Sequence, residues 1–63
     1  MVRIQFHTDN AAFRDTFTDN ALDLHAVAEC VHTVADSISN HISKGVVRDL
    51  NGNVVGNFTV TNR

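Results

Sequence analysis

The stretch ALDLHAVAECVHTVADSISNHISK, residues 21–44, decides the fold. At 100° per residue, Leu24, Val27, Ala28, Val31, Val34, Ala35, Ile38 and Ile42 fall within one stripe of about 120°. That spacing predicts an amphipathic helix from about Asn20 to Lys44. Asp23 places a carboxylate near its positive end, and Lys44 suits the negative end. Gly45 is the natural left-handed residue just past the last turn. The stripe is built from medium and small side chains, so the helix can sit close against a sheet or against its own copy.

Upstream, Thr8-Asp9-Asn10-Ala11 recurs as Thr18-Asp19-Asn20-Ala21. An Asp or Asn side chain can accept from the orphan N–H groups of a first turn, so both copies read as helix starts. The first opens a single turn, Ala11-Ala12-Phe13-Arg14, and the second opens the main helix. Before them, Val2, Ile4, Phe6 and Thr8 alternate with Arg3, Gln5 and His7, the period of a strand with one wet face.

Downstream, Asn51-Gly52 between two valine-rich runs is a strong hairpin signal. A type I′ turn there pairs Arg48 with Val55. A type I turn with a bulge at Gly52 pairs Asp49 with Asn53, and is preferred because Asp49 can then cap the turn through its side chain. Gly56 in the second arm signals a bulge or the close packing of the helix above it.

The expected architecture is α+β in the order β-α-β-β, one domain over residues 1–63. A three-stranded sheet carries one long helix on one face, since neither layer hides its apolar side alone. Placing the first strand beside the last makes the sheet all antiparallel, and is preferred. Placing it beside the second makes a parallel pair with a right-handed crossover. The expected core holds Val2, Ile4, Phe6, Phe58, Val60 and the helix stripe. The open sheet face shows Arg3, Gln5, His7, Thr59 and Thr61.

With 63 residues, such a core is thin, because a chain this short buries only about 60% of its unfolded surface. Cys30 has no partner for a disulfide, and one Cys with four scattered His does not suit a common zinc site. Self-association, as a homodimer, is the expected support. The net charge of −2 excludes a polybasic tail and is too mild for a nucleic-acid-mimicking surface. Residues Met1–His7 lack a cationic segment followed by an apolar one, and with the single Cys this favours the cytoplasm.

Four sets of residues could carry function. His25, Glu29, His32 and Asp36 fall within about 60° of one another on the helix, where imidazole and carboxylate on successive turns could converge on a transition metal. The plainer reading is a solvated flank with i, i+4 pairs. Cys30 and His41 are about 16 Å apart along the helix, too far for a nucleophile and its base. With no phosphate loop and dispersed acids, the chain reads as neither an enzyme nor a cofactor carrier. Arg3, His7 and Arg48 on the open sheet face form a weak nucleic-acid site with no aromatic for a base to stack on. Phe13 and Phe17, four apart around Arg14, either plug the open end of the core or anchor a partner protein.

Thr8-Asp9-Asn10-Ala11-Ala12-Phe13 and Arg48-Asp49-Leu50-Asn51-Gly52-Asn53-Val54-Val55-Gly56 resemble a class of very short bacteriophage and prophage open reading frames. Those carry a TDNAAF-like opening and an RDxNGNxVG-like closing, and with the helix between them the likeness covers most of the chain. Phe17 and the second Thr-Asp-Asn depart from it, standing where similar proteins are more acidic. The resemblance implies a phage accessory protein inside a bacterial cell, and it transfers no functional residues. The expected function is a non-enzymatic protein-interaction module, self-associating and binding and inhibiting a host or defence protein through Phe13, Arg14 and Phe17. A nucleic-acid-binding module and a metal-binding helix patch are the alternatives.

Overall fold

The computed structural model describes residues 1–15 and 21–62. Val2–Phe6 forms β1, and a single 3-10 turn follows at Ala11–Phe13. Arg14–Asp15 (β2) and Ala21–Leu22 (β3) pair as a two-residue antiparallel ribbon. The helix α1 spans Leu24–Ser39, and Lys44–Arg48 (β4) and Val54–Val60 (β5) complete the chain. The three longer strands form one sheet in the order β1-β5-β4, antiparallel throughout. This is the expected α+β arrangement, with the first strand beside the last.

The local chemistry accounts for the boundaries. Asn10 caps the 3-10 turn by accepting from the Ala12 N–H at 3.1 Å, as the first Thr-Asp-Asn motif leads one to expect. The second motif does not open α1. Ala21 and Leu22 belong to the ribbon, and Asp23 is the N-cap, its carboxylate accepting from the N–H groups of His25 and Ala26. Asp23 also donates its own N–H to the Phe13 carbonyl at 2.8 Å, which fixes where the helix begins relative to the 3-10 turn.

At the other end, α1 stops well short of Lys44. Asn40 turns its side-chain amide back onto the Asp36 carbonyl, a local bond that competes with the helix ladder. His41 takes the left-handed position at φ 67, while Ile42 N–H reaches the Ser37 carbonyl and His41 N–H the Ile38 carbonyl. These are the two bonds of a Schellman ending, built on a histidine rather than on Gly45. Gly45 lies instead within β4, where a side chain would collide with the Phe58 ring.

The β4–β5 connection follows the bulged-turn expectation. Gly52 N–H donates to the Asp49 carbonyl, Asp49 N–H to the Asn53 carbonyl, and Gly52 sits at φ +83. A second irregularity between Val47 and Arg48 shifts the register, so that Val55 joins Val47 and Phe58 in the core.

The core is Phe13, Ala26, Cys30, Val34, Val47, Val55 and Phe58, with Phe6, Ala12, Val27 and Ile38 packed against it. It differs from the expected core in two ways. The strand α1 packs on most closely is β4, at the sheet edge, so Val2 and Ile4 of β1 are left exposed. The buried face of α1 is also rotated by roughly 70°, at 100° per residue, toward Cys30. Ala26 and Cys30 are small enough to bring the helix down onto Phe13 and β4. Leu24, Ala28, Val31, Ala35 and, past the helix end, Ile42 stay outside.

Candidate interaction surfaces

Four residues tie the lower end of the sheet to the segment after β1. Asp49 is buried, and it is the one polar side chain in that state among the described residues. Its Oδ1 accepts from the N–H groups of Asn51 and Asn53, and its Oδ2 from the side-chain amides of Asn10 at 2.7 Å and Asn53 at 3.4 Å. Burial pushes the Asp49 carboxyl up, but these four donors together outweigh it and hold the group below the usual carboxylate range. The folded chain therefore binds this proton more weakly than the unfolded chain does. The stability it contributes is fully present above the unfolded value of about 3.9 and is lost as pH falls through the lower folded value. In thermal melts, the advantage of the wild type over Asp49→Asn should be constant from about pH 7 to 5 and shrink below about pH 4. A gap that stays constant into strong acid would show that the four hydrogen bonds do not depend on the charge.

Cys30 packs beside this cluster and donates from its thiol to the Arg48 carbonyl at 3.5 Å. Burial first, then the carboxylates of Asp49 and Glu29, push the thiol above its ordinary value, which is opposite to what a nucleophile needs. His41 lies beyond the helix end and is exposed, so the two make no catalytic pair.

Phe13 offers no exposed anchor to a partner. It is fully buried, with its ring 6.0 Å from that of Phe6 at 31° and in one core cluster with Ala26. This corrects its place in the expected binding site: the ring closes the open end of the thin core. Arg14 is exposed on β2 opposite Leu22, and Phe17 lies outside the described residues.

The helix patch does not converge on an ion either. His25 Nε2 and Glu29 Oε1 are 3.7 Å apart, both exposed, a contact worth at most a few tenths of a kcal/mol. His32 and Asp36 are exposed one and two turns further on. Spread over about 16 Å of helix, the four residues form no group of three or more that could hold a metal, among the described residues.

The outer face of the sheet is cationic. Arg3 and Lys44 stand on either side of Thr59 in one row across the three strands. Val46 and Arg48 follow Lys44 along β4, and Arg48 Nη1 donates to the Gly52 carbonyl at 3.0 Å. Met1, Arg3, Thr59 and Thr61 line a shallow cleft of about 540 Å³, closed by the bonds between Met1 and Thr61. No Asp or Glu lies on β1, β4 or β5. His7 is exposed just past β1, its N–H bonded to the Val55 carbonyl.

The surface that sequence reasoning missed is the outer flank of α1. Leu24 is 71% exposed and Val31 43%, with the exposed Ala28 and Ala35 between and beside them. The signal was present: apolar residues from Ala26 round to Ala28 occupy about 200° of the helical wheel, wider than the stripe of an ordinary surface helix. One part of that arc had to remain outside.

Comparison with protein-family models, curated proteins and solved structures finds no match for this chain. No helix among the described residues is long and apolar enough to cross a membrane.

Proposed function

We propose that this chain is a non-enzymatic protein-interaction module, a phage or prophage accessory protein that acts in the host cytoplasm on a host or defence protein. The observation that carries this reading is the apolar flank Leu24-Ala28-Val31-Ala35, left in water beside a core short of apolar residues. The TDNAAF-like and RDxNGNxVG-like segments supply the phage part of the proposal.

Self-association is part of the same reading, and it fits β1. A two-fold axis at Ile4 would set Val2 against Phe6 and Arg3 against Gln5 of the second copy, with no like charges opposed. It would join two sheets into one of six strands. Gln5→Arg would oppose two arginines twice per dimer, so sedimentation should show a dimer for the wild type and a monomer for the variant.

The test of the main reading is affinity capture from bacterial cytoplasm with the wild type and with Leu24→Glu/Val31→Glu. Both positions are exposed, and the glutamates suit a helix, so the variant should melt within a few degrees of the wild type. It should lose the protein that the wild type retains. Capture unaffected by the two changes would remove the flank from this role. The nucleic-acid alternative rests on Arg3, Lys44, His7 and Arg48. It requires affinity for a single-stranded oligonucleotide that falls steeply as salt rises.

A further inference from the structure

β4 is an edge strand, and among the described residues no strand pairs with its outer side, where the Arg48 carbonyl already accepts from the Cys30 thiol at 3.5 Å. Its five residues alternate: Gly45 and Val47 face the helix, while Lys44, Val46 and Arg48 are exposed on the opposite face. Above it lies α1, which packs more closely on β4 than on the central β5. The side of α1 bearing Ala26 meets Phe13, in the segment that follows β1. The flank with Leu24, Val31 and Ala35 is turned by about 140–180° from Ala26 at 100° per residue. It therefore looks away from β1. A right-handed crossover from β1 through α1 to β4 puts that flank over the free edge.

An edge strand with an apolar overhang is a template for strand addition, in which main-chain bonds supply affinity and alternate side chains supply specificity. The charges specify the guest. A residue opposite Lys44 and another opposite Arg48 would each face a cation, with no acid of this chain nearby on the sheet. The residues opposite Gly45 and Val47 would point under the α1 flank. A second copy is the wrong guest here, because a two-fold axis at Val46 would set Lys44 against Arg48 of that copy, and like charges directly opposite destabilise.

We propose that the β4 edge receives an extended segment of a partner protein with the pattern acid–apolar–any–apolar–acid, its two acids opposite Lys44 and Arg48 and its two apolar residues beneath the Leu24–Val31 flank. The proposal rests on the protein-interaction reading above and specifies the kind of partner segment.

The probe is a nine-residue peptide centred on Glu-Val-Thr-Val-Glu, with Lys-Val-Thr-Val-Lys as its charge-reversed control, each titrated into the full chain and followed by amide NMR. The acidic peptide should shift the amides of residues 44–48 and slow their hydrogen exchange, while those of β1 stay unchanged. Lys44→Glu should weaken it by about tenfold, the size expected when an opposed pair turns from unlike to like charges, and should improve the basic peptide. A thermal melt of this exposed variant confirms that it is folded. Equal binding of both peptides, or none, overturns the proposal. So does slowed exchange at 44–48 in the chain alone that grows with its concentration, which would mean that a second copy covers the edge. If the peptide fails while Leu24→Glu/Val31→Glu still abolishes capture, the interaction module stands and only the strand-addition mode falls.

Discussion

Replacing Phe13 with Ala should remove half or more of the folding stability and lower the melting temperature steeply. A domain of 63 residues has a total stability of about 3–9 kcal/mol, and emptying a fully buried phenylalanine site costs about 3–5 kcal/mol. Little around the site can collapse into the gap. The ring lies against that of Phe6 in one core cluster with Ala26, and the Phe13 carbonyl is bound by the Asp23 N–H at the start of α1. Loss of the ring therefore loosens the helix start as well as the core. Phe13→Leu keeps most of the volume and should cost less than about 2 kcal/mol. Thermal melts by circular dichroism rank the three chains. If Phe13→Ala melts within a few degrees of the wild type, the ring is not structural. If it also loses a partner, the anchor reading returns.

The three longer strands were legible because their signals are local, whereas the β2–β3 ribbon was not foreseen and the sheet order rested on preferring an all-antiparallel arrangement. Alternation from Val2 to Thr8 marks β1, and Asp49 with Asn51-Gly52 specifies the bulged turn, since one carboxylate can satisfy two turn N–H groups. The helix existed where its periodicity lay, but its ends moved inward by four residues from Asn20 and five from Lys44. Each end was decided by a contact that periodicity does not contain: Asp23 to Phe13 at the start, and the left-handed His41 at the close. The orientation of the stripe was misread for a related reason. A hydropathy pattern ranks Leu24 and Val31 above Ala26 and Cys30, yet close approach over a ring and a strand favours the smaller pair. The interaction surface then followed from that misreading, because the large residues excluded from the core are the ones that form the flank. Asn10 at the Asp49 carboxylate, 39 residues away in sequence, left no local trace.

Gly56→Ala should be as damaging as Phe13→Ala, for a different reason. A side-chain carbon at Gly56 would overlap the Gln5 carbonyl oxygen and Phe6 Cα across the β1–β5 pair. Both obstacles are backbone, so no rotamer change relieves them, and the two strands must separate where Phe6 enters the core. Overpacking of this kind exceeds the usual 1–3 kcal/mol, and about 4 kcal/mol is expected because the pairing itself is lost. Two other glycines provide the scale. At Gly45 the nearest obstacle is the edge of the Phe58 ring at 2.9 Å, which can tilt, so Gly45→Ala should cost about 1–2 kcal/mol. At Gly52 nothing lies within 4 Å, and Gly52→Ala should cost only the left-handed backbone of an alanine, about 1 kcal/mol. Denaturant titration of the three variants should therefore place Gly56→Ala far below the other two. A Gly56→Ala chain as stable as Gly52→Ala would mean that β1 does not approach β5 so closely, and the site proposed for self-association on β1 would lose its footing with it.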